Sequence, residues 1–308
     1  MSLPITPAYA NEASFSQDSS LATPRDFWLL MKPGVLSLVV FTAFVGAILA
    51  PSTIHPFVLL VAILSITLGA GGAAAFNMWY DRDIDLVMKR TRSRPIPAGR
   101  VAPHDALTFA SLLSVTSVTL MGLATNMLAA GLLALSIIYY TLFYTVFLKR
   151  RTPQNIVIGG GAGAFPPLIG WVAVTNEIAL LPLVLVWLIF IWTPSHFWAL
   201  ALYRSSDYAS VRVPMLPVTH GELSTKRHIM VYSILLVASA IIPFYLGDFG
   251  AIYMVSATLL GMAYLALATK VWWVGGEKHA IRLFLFSIAY LFLLFLSMVI
   301  DHVGARFL

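Results

Sequence analysis

Nine apolar runs, separated by connections that are either very short or charged, constrain this chain more than any other feature. They cover roughly 27–50, 57–79, 105–123, 128–148, 156–174, 180–203, 228–247, 249–272 and 281–302. Each is close to the ~20 residues that a helix needs to cross the hydrocarbon core of a bilayer. Of 308 residues, 59% are hydrophobic and only 10% are charged. A soluble domain carries roughly 25% charge. The runs therefore predict an all-α, polytopic membrane protein of nine transmembrane helices. The sequence has no cysteine, which excludes disulfides and thiolate metal sites.

The connections set the orientation. Those around 51–56, 124–127, 175–179 and 248 are short; those at 80–104, 149–155, 204–227 and 273–280 carry charge. With the N-terminus in the cytoplasm, 18 of the 19 Lys and Arg residues fall on the cytoplasmic side and only Arg306 on the other. Basic residues are retained in cytoplasmic loops, so this asymmetry supports both orientation and span count. The net charge of +6 is then a feature of topology, with the lipid bilayer as its surroundings and no nucleic acid as partner. Residues 1–24 are rich in Ser, Thr, Ala and Pro and contain no Lys or Arg before Arg25. They lack the basic start and apolar core of a signal peptide, and Glu12 and Asp18 argue against a mitochondrial presequence. They read as a disordered cytoplasmic tail before a single domain, 25–308.

The chemistry concentrates where the second run ends. Asn77, Asp81 and Asp85 recur at spacings of four, which on a helix places them on one face. Oxygen-bearing side chains in that pattern suit Mg²⁺, a hard cation that often bridges to phosphates. Carboxylates at a helix C-terminus also oppose its macrodipole and call for a compensating cation. Asp83 falls off this stripe. Lys89, Arg90, Arg92, Arg94 and Arg100 follow directly. Acids for a metal beside bases for an anion, at a membrane surface, point to a diphosphate with an apolar tail. A lone Asp there would be read as solvated helix-end charge; three groups in phase are not. Just upstream, the small residues Gly69 to Ala75 either pack against a neighbour or leave room for a ligand.

A weak echo follows 126 residues later: Tyr203-x3-Asp207-x3-Val211 closes the sixth run and leads into a Pro-containing stretch, as the first motif does. Asp207 thus becomes a candidate ligand for a second Mg²⁺, two cations neutralising a leaving diphosphate better than one. Chance similarity competes with this reading. Lys149 and Arg150, beside Tyr144 at the end of the fourth run, are either positive-inside anchors or cations for the diphosphate. His196, in Trp192-Thr193-Pro194-Ser195-His196-Phe197-Trp198, lies about 10 Å inside the sixth run. An ionisable side chain at that depth is a functional candidate, and it sits nearly on the face of Asp207, looking into the same cavity. The alternative is a neutral histidine bonded to a backbone carbonyl. Gly159-Gly160-Gly161-x-Gly163 lacks the Lys-Ser/Thr of a phosphate loop and reads as close packing through Gly159 and Gly163.

Taken together, Asn77-x3-Asp81-x3-Asp85, the acid after the sixth run and nine spans resemble the intramembrane aromatic prenyltransferase superfamily. Several stretches are similar to its protohaem IX farnesyltransferase (haem O synthase) branch. They are Lys32-Pro33, Asp85-x2-Met88-x-Arg90-Thr91 with Arg94-Pro95, Tyr144-Thr145-x2-Leu148-Lys149-Arg150, Asn155 to Gly160, His196-Phe197-Trp198-Ala199-Leu200-Ala201, and Asp207-Tyr208 with Val213 to Val218. The likeness covers about 27–302. It implies nine helices around a central cavity open to the cytoplasm, in a bacterial inner membrane. It implies Mg²⁺ as cofactor, farnesyl diphosphate as donor and haem B as acceptor. A haem A synthase or terminal-oxidase assembly partners would be neighbours in the pathway. Asn77, Asp81, Asp85 and Asp207 would hold the metal, with the three acids catalytic. Arg90, Arg94, Lys149 and Arg150 would bind the diphosphate, and His196 would bind the acceptor. Val211 replaces the second acid that other branches carry. A prenyltransferase acting on an aromatic acid or quinone precursor is the alternative. A transporter fits less well, because transporters bind near the midplane and the acids here lie at helix ends.

Overall fold

The computed structural model describes residues 22–304. Most of the expected tail, 1–21, and Arg306 lie outside the described residues. Every regular element among the described residues is helical. The first apolar run is two helices, α1 (Pro24–Leu30) and α2 (Pro33–Ile48), bent by 60°. Pro33 has no N–H to continue the ladder of α1, and it restricts the residue before it. Lys32, between the two helices, takes a left-handed conformation, φ 54°. The chain continues through α3 (Pro56–Tyr80), α4 (Arg82–Val87), α5 (Pro103–Ala124) and α6 (Met127–Ile138). It then widens into a π-helix, Tyr139–Leu148. The fifth run is broken into α7 (Asn155–Gly159), α8 (Gly161–Ala164) and α9 (Pro166–Thr175). After α10 (Leu180–Tyr203) come the short α11 (Ser205–Ser210) and α12 (Leu216–Thr219). The last spans are α13 (Gly221–Ser239) with α14 (Ile242–Tyr245), α15 (Ala251–Trp273) and α16 (Glu277–Gly304). Among the described residues eight segments are long and apolar enough to cross a membrane, and nine if the bent α1–α2 pair is one span.

Two contrasts explain the packing. Large apolar side chains such as Leu123, Met127 and Leu259 are more than half exposed. That outer surface suits lipid, as a multi-pass membrane protein requires. Inside, small residues let backbones touch. A Cβ on Gly46 would overlap the Pro167 carbonyl, and one on Gly170 the Ala43 carbonyl, so α2 and α9 cross backbone to backbone. The small stretch on α3 is packing surface too: Gly71 lies against Met31, and Gly72 against Ser114 and the Ala110 carbonyl. Gly159 meets the Tyr144 ring, but Gly163 faces open space, so only the first half of the expected Gly159–Gly163 contact forms.

Candidate functional site

The acidic stripe survives an interruption that the sequence does not announce. Helix α3 stops at Tyr80, Asp81 caps it, and α4 begins at Arg82. Two hydrogen bonds carry the helical register through the break: Asp81 N to the Asn77 carbonyl at 3.0 Å and Asp85 N to the Asp81 carbonyl at 2.9 Å. Asn77, Asp81 and Asp85 are buried, with 3%, 0% and 2% of their surface exposed. Buried carboxylates must be paired. Asp81 accepts from Lys149 Nζ, from Arg150 Nη2 at 3.2 Å and from Asn77 Nδ2 at 2.9 Å. Asp85 accepts from Arg94 Nη1 at 2.6 Å.

The π-helix delivers the cations. Its wider turn is completed by Lys149 N donating to the Tyr144 carbonyl, five residues back. Thr145 Oγ1 donates to the Tyr140 carbonyl at 2.9 Å and accepts from Asn77 Nδ2 at 3.1 Å, tying the π-helix to the stripe. Asn155 Nδ2 holds the Lys149 and Thr152 carbonyls at 3.3 and 2.7 Å. Arg150 grips both oxygens of Asp83 at 2.7 Å, and its guanidinium lies 4.9 Å from the Tyr80 ring centre. Burial alone would raise the Asp83 carboxyl, but the Arg150 fork outweighs it and holds the group below the usual carboxylate range. The same fork raises Arg150. Asp83 is thus off the stripe, as its position in the helix requires, yet it orients a cation that the stripe uses.

Lys32 is the residue that the expected site left out. At the break between α1 and α2 its Nζ donates to Asn77 Oδ1 at 2.6 Å, and Arg94, Lys149, Asp81 and Asp85 all lie within electrostatic reach of it. Asp207 stands further off. Its ion pair is with Arg204, at 3.9 Å, and the next residue, Tyr208, is buried near Arg90 and Arg94. Burial pushes the Tyr208 phenol up, with those arginines pulling the other way. A cleft of about 290 Å³ runs between the two motifs, lined by Asp83, Ile84, Val87, Ser210, Val211 and Arg212. His196 makes its hydrogen bond to Ser287 on α16, at 2.5 Å, and its aromatic contacts to Trp192, Phe197 and Phe284. Among the described residues, neither its hydrogen bond nor its ring contacts reach the acid–base cluster.

Residues 39–299 match the UbiA prenyltransferase family. The chain belongs to the UbiA prenyltransferase family. A protein of Erythrobacter litoralis named protoheme IX farnesyltransferase is 55% identical, covering 90% of this chain and 92% of its own. One of the same name from Parvibaculum lavamentivorans is 53% identical, with 92% and 91% covered. A solved digeranylgeranylglyceryl phosphate synthase shares the fold, with a TM-score of 0.76 at 16% identity over 91% of this chain and 98% of the other. So does a UbiA homologue from Archaeoglobus fulgidus bound to GPP and Mg²⁺, with a TM-score of 0.62 at 13% identity over 89% and 99%.

In this UbiA-family chain the echo between the two halves is visible in the backbone. Both α3 and α10 break at a single residue, Asp81 and Arg204, and continue into helices of six residues. The breaks fall at Asp81 and Arg204, 123 positions apart rather than 126, so Asp207 is not the positional twin of Asp81. That shift, and the pairing with Arg204, leave Asp207 outside the first cluster. Among the described residues, no three His, Cys, Asp or Glu side chains stand close enough to enclose a metal ion. The first cluster offers hard oxygen donors, Asn77 Oδ1 and the carboxylates of Asp81 and Asp85. Those donors fit Mg²⁺ if water or a ligand's oxygens complete its shell.

Proposed function

We propose that the chain transfers the farnesyl group of farnesyl diphosphate to a vinyl carbon of protohaem IX, giving haem O and diphosphate. The acceptor is inferred from relatives of that name, at 50–55% identity over nine-tenths or more of this chain. The reaction class is supported by one observation above all: buried Asp81 and Asp85 are ringed by Lys32, Arg94, Lys149 and Arg150 at a membrane-length helix end. In this reading Asn77, Asp81 and Asp85 would hold Mg²⁺, and Asp207 would be a ligand for a second ion. The bound metal supplies Lewis-acid neutralisation of the leaving diphosphate.

The chain's own cations do the rest. Lys149, Arg150, Arg94 and Arg90 orient the diphosphate and are in place before the allylic C–O bond breaks, so they stabilise charge as it develops on the leaving oxygen. Arg150 is pre-aimed by Asp83, and Lys32 by Asn77. The bond's electron pair leaves with the diphosphate. The vinyl π electrons form the new C–C bond, and water adds to the other vinyl carbon and loses its proton. Apolar walls of a central cavity, opening at the charged end, shield the farnesyl cation from premature water. His196 holds the acceptor from within the bundle. In this reading the charged end and the N-terminus lie in the cytoplasm of a bacterial inner membrane, beside the oxidase assembly machinery that uses haem O; the excess of Lys and Arg in the connections at that end supports the orientation.

The test is purified protein in detergent with protohaem, farnesyl diphosphate and Mg²⁺, with the pigment read by mass. The expected product is haem plus a farnesyl group plus water, absent with EDTA or Asp81→Ala. Unmodified haem alongside a prenylated aromatic acid would move the assignment to another acceptor.

A further inference from the structure

The surroundings of His196 assign its tautomer, and with it a residue that no motif marks. Ser287, on α16, is fully buried. Its Oγ lies 2.6 Å from the Phe284 carbonyl and 2.5 Å from His196 Nδ1. A carbonyl only accepts, so the single hydroxyl proton of Ser287 is given to Phe284. The contact with His196 must then be made by a lone pair of Oγ, with Nδ1–H as donor. The imidazole therefore carries its proton on Nδ1 and an open in-plane lone pair on Nε2. The ring is also fixed in its plane. Trp192 stacks on it at 4.2 Å and 19°, and Phe284 at 4.7 Å and 26°. Trp192 is itself anchored by its Nε1–H on the Ser287 carbonyl at 2.8 Å. Both faces of the imidazole are covered, so only its edge can meet a partner. Among the described residues no hydrogen bond engages Nε2.

We propose that Ser287 is a positioning residue that fixes His196 in the Nδ1–H tautomer and reserves the Nε2 lone pair for the iron of the haem acceptor. This rests on the reading of His196 as acceptor-binding. The arrangement is the one by which metal-binding histidines are generally held: one ring nitrogen donates to a neighbour, which orients the ring and makes the other a better ligand. Here the neighbour is a hydroxyl whose own proton is committed elsewhere. Packing alone does not require this, because a serine whose proton is already satisfied by Phe284 gains nothing from a second contact with a carbon edge. The Trp192–Ser287 bond ties the aromatic cover to the same residue, so ring plane and tautomer are set together.

The test uses the full-length protein in detergent, reduced protohaem and resonance Raman detection of the Fe–His stretch, with equilibrium haem binding in parallel. Wild type should show the stretch, and His196→Ala should lose it. Ser287→Ala should move the stretch to lower frequency, because the imidazole loses its Nδ1 acceptor, and should weaken haem binding by roughly 10–100-fold. The KM for farnesyl diphosphate should stay unchanged. Ser287→Thr, which keeps the hydroxyl, should restore both signals. Ser287→Cys, close in size but a poor acceptor, should behave as Ser287→Ala and serves if the alanine variant does not fold. An unchanged stretch and haem affinity in Ser287→Ala or Ser287→Cys, with His196→Ala still losing the band, would overturn the role of Ser287 alone. A band that persists in His196→Ala, or is missing from wild type, would overturn the assignment of His196 and the proposal with it.

Discussion

Asp81 and Lys149 should be coupled in stability and inseparable in activity. Asp81 has none of its side chain exposed and Lys149 only 14%. Removing one member of a buried ion pair costs ~3–5 kcal/mol, because the other charge is left unpaired in a poor solvent for it. In Asp81→Asn the Arg150 guanidinium keeps both oxygens of Asp83 at 2.7 Å, so Lys149 alone is orphaned. The expected loss is therefore at the low end, about 3 kcal/mol. In Lys149→Met the carboxylate retains Arg150 and Asn77, and losing one charge-assisted hydrogen bond costs about 1.5–3 kcal/mol. The double variant removes both charges and should lose less than the sum, leaving a coupling of about 2 kcal/mol. Equilibrium denaturation in mixed micelles measures the cycle. Turnover should fall about 100-fold or more in each single variant, the scale of one lost transition-state contact, and the double variant should be no better. Stability would thus recover in the double variant while activity would not. A coupling within about 0.5 kcal/mol of zero, or near-normal turnover in Asp81→Asn, would refute the reasoning.

Arg94→Gln leaves Asp85 buried without its cation, and should weaken farnesyl diphosphate binding by about 10–100-fold, measured by calorimetry in detergent. Gly159→Ala drives a Cβ into the Tyr144 ring that precedes Lys149; it should destabilise the fold by ~1–3 kcal/mol in thermal denaturation and lower turnover per folded molecule. Chelating Mg²⁺ should weaken diphosphate binding at least about tenfold, and equal affinity with and without the metal would argue against Asp81 and Asp85 as its ligands.

How much was legible in the sequence follows from the range of the interactions. Runs of apolar residues are local, so the spans and the charged end could be read directly. The spacing of Asn77, Asp81 and Asp85 is local as well, and its register held through the break at Asp81 because two backbone bonds cross it. The partners were not local. Lys149 is 68 residues from Asp81, and Ser287 is 91 from His196. Nothing near Ser287 distinguishes it from other small polar residues facing a neighbouring helix. The π-helix was hidden because its residues read as an ordinary apolar run, and only the five-residue hydrogen bonds reveal it. Lys32 does carry a signal in the sequence. A lysine within an apolar run is costly unless it has a partner, and Pro33 beside it marks a helix break that could supply one. For Asp207 the 126-residue spacing of the motifs and the 123-residue spacing of the helix breaks differ, a local shift that the sequence pattern does not show.

The charges of the first cluster argue for why metal and diphosphate should arrive together. Lys32, Arg94, Lys149 and Arg150 face Asp81, Asp83 and Asp85, four cations against three carboxylates. The cluster is thus close to neutral at rest, which is why it can be buried at all. Asp81 caps the C-terminal end of α3, where the helix dipole disfavours a carboxylate, whereas Asp83 and Asp85 lie in the first turn of α4, where it favours them; the buried Asp81 therefore depends most on its cations. A diphosphate alone would bring several negative charges into a site whose cations are already committed to carboxylates. In the proposed function a divalent ion held by Asn77, Asp81 and Asp85 would offset the charge of those carboxylates and leave Lys149 and Arg94 available to the phosphate. The same four cations would then serve the acids in the empty site and the leaving group in the loaded one. Asp83, with its side chain 61% exposed, contributes little to burial, but its two contacts with Arg150 would keep that cation aimed at the site in both cases.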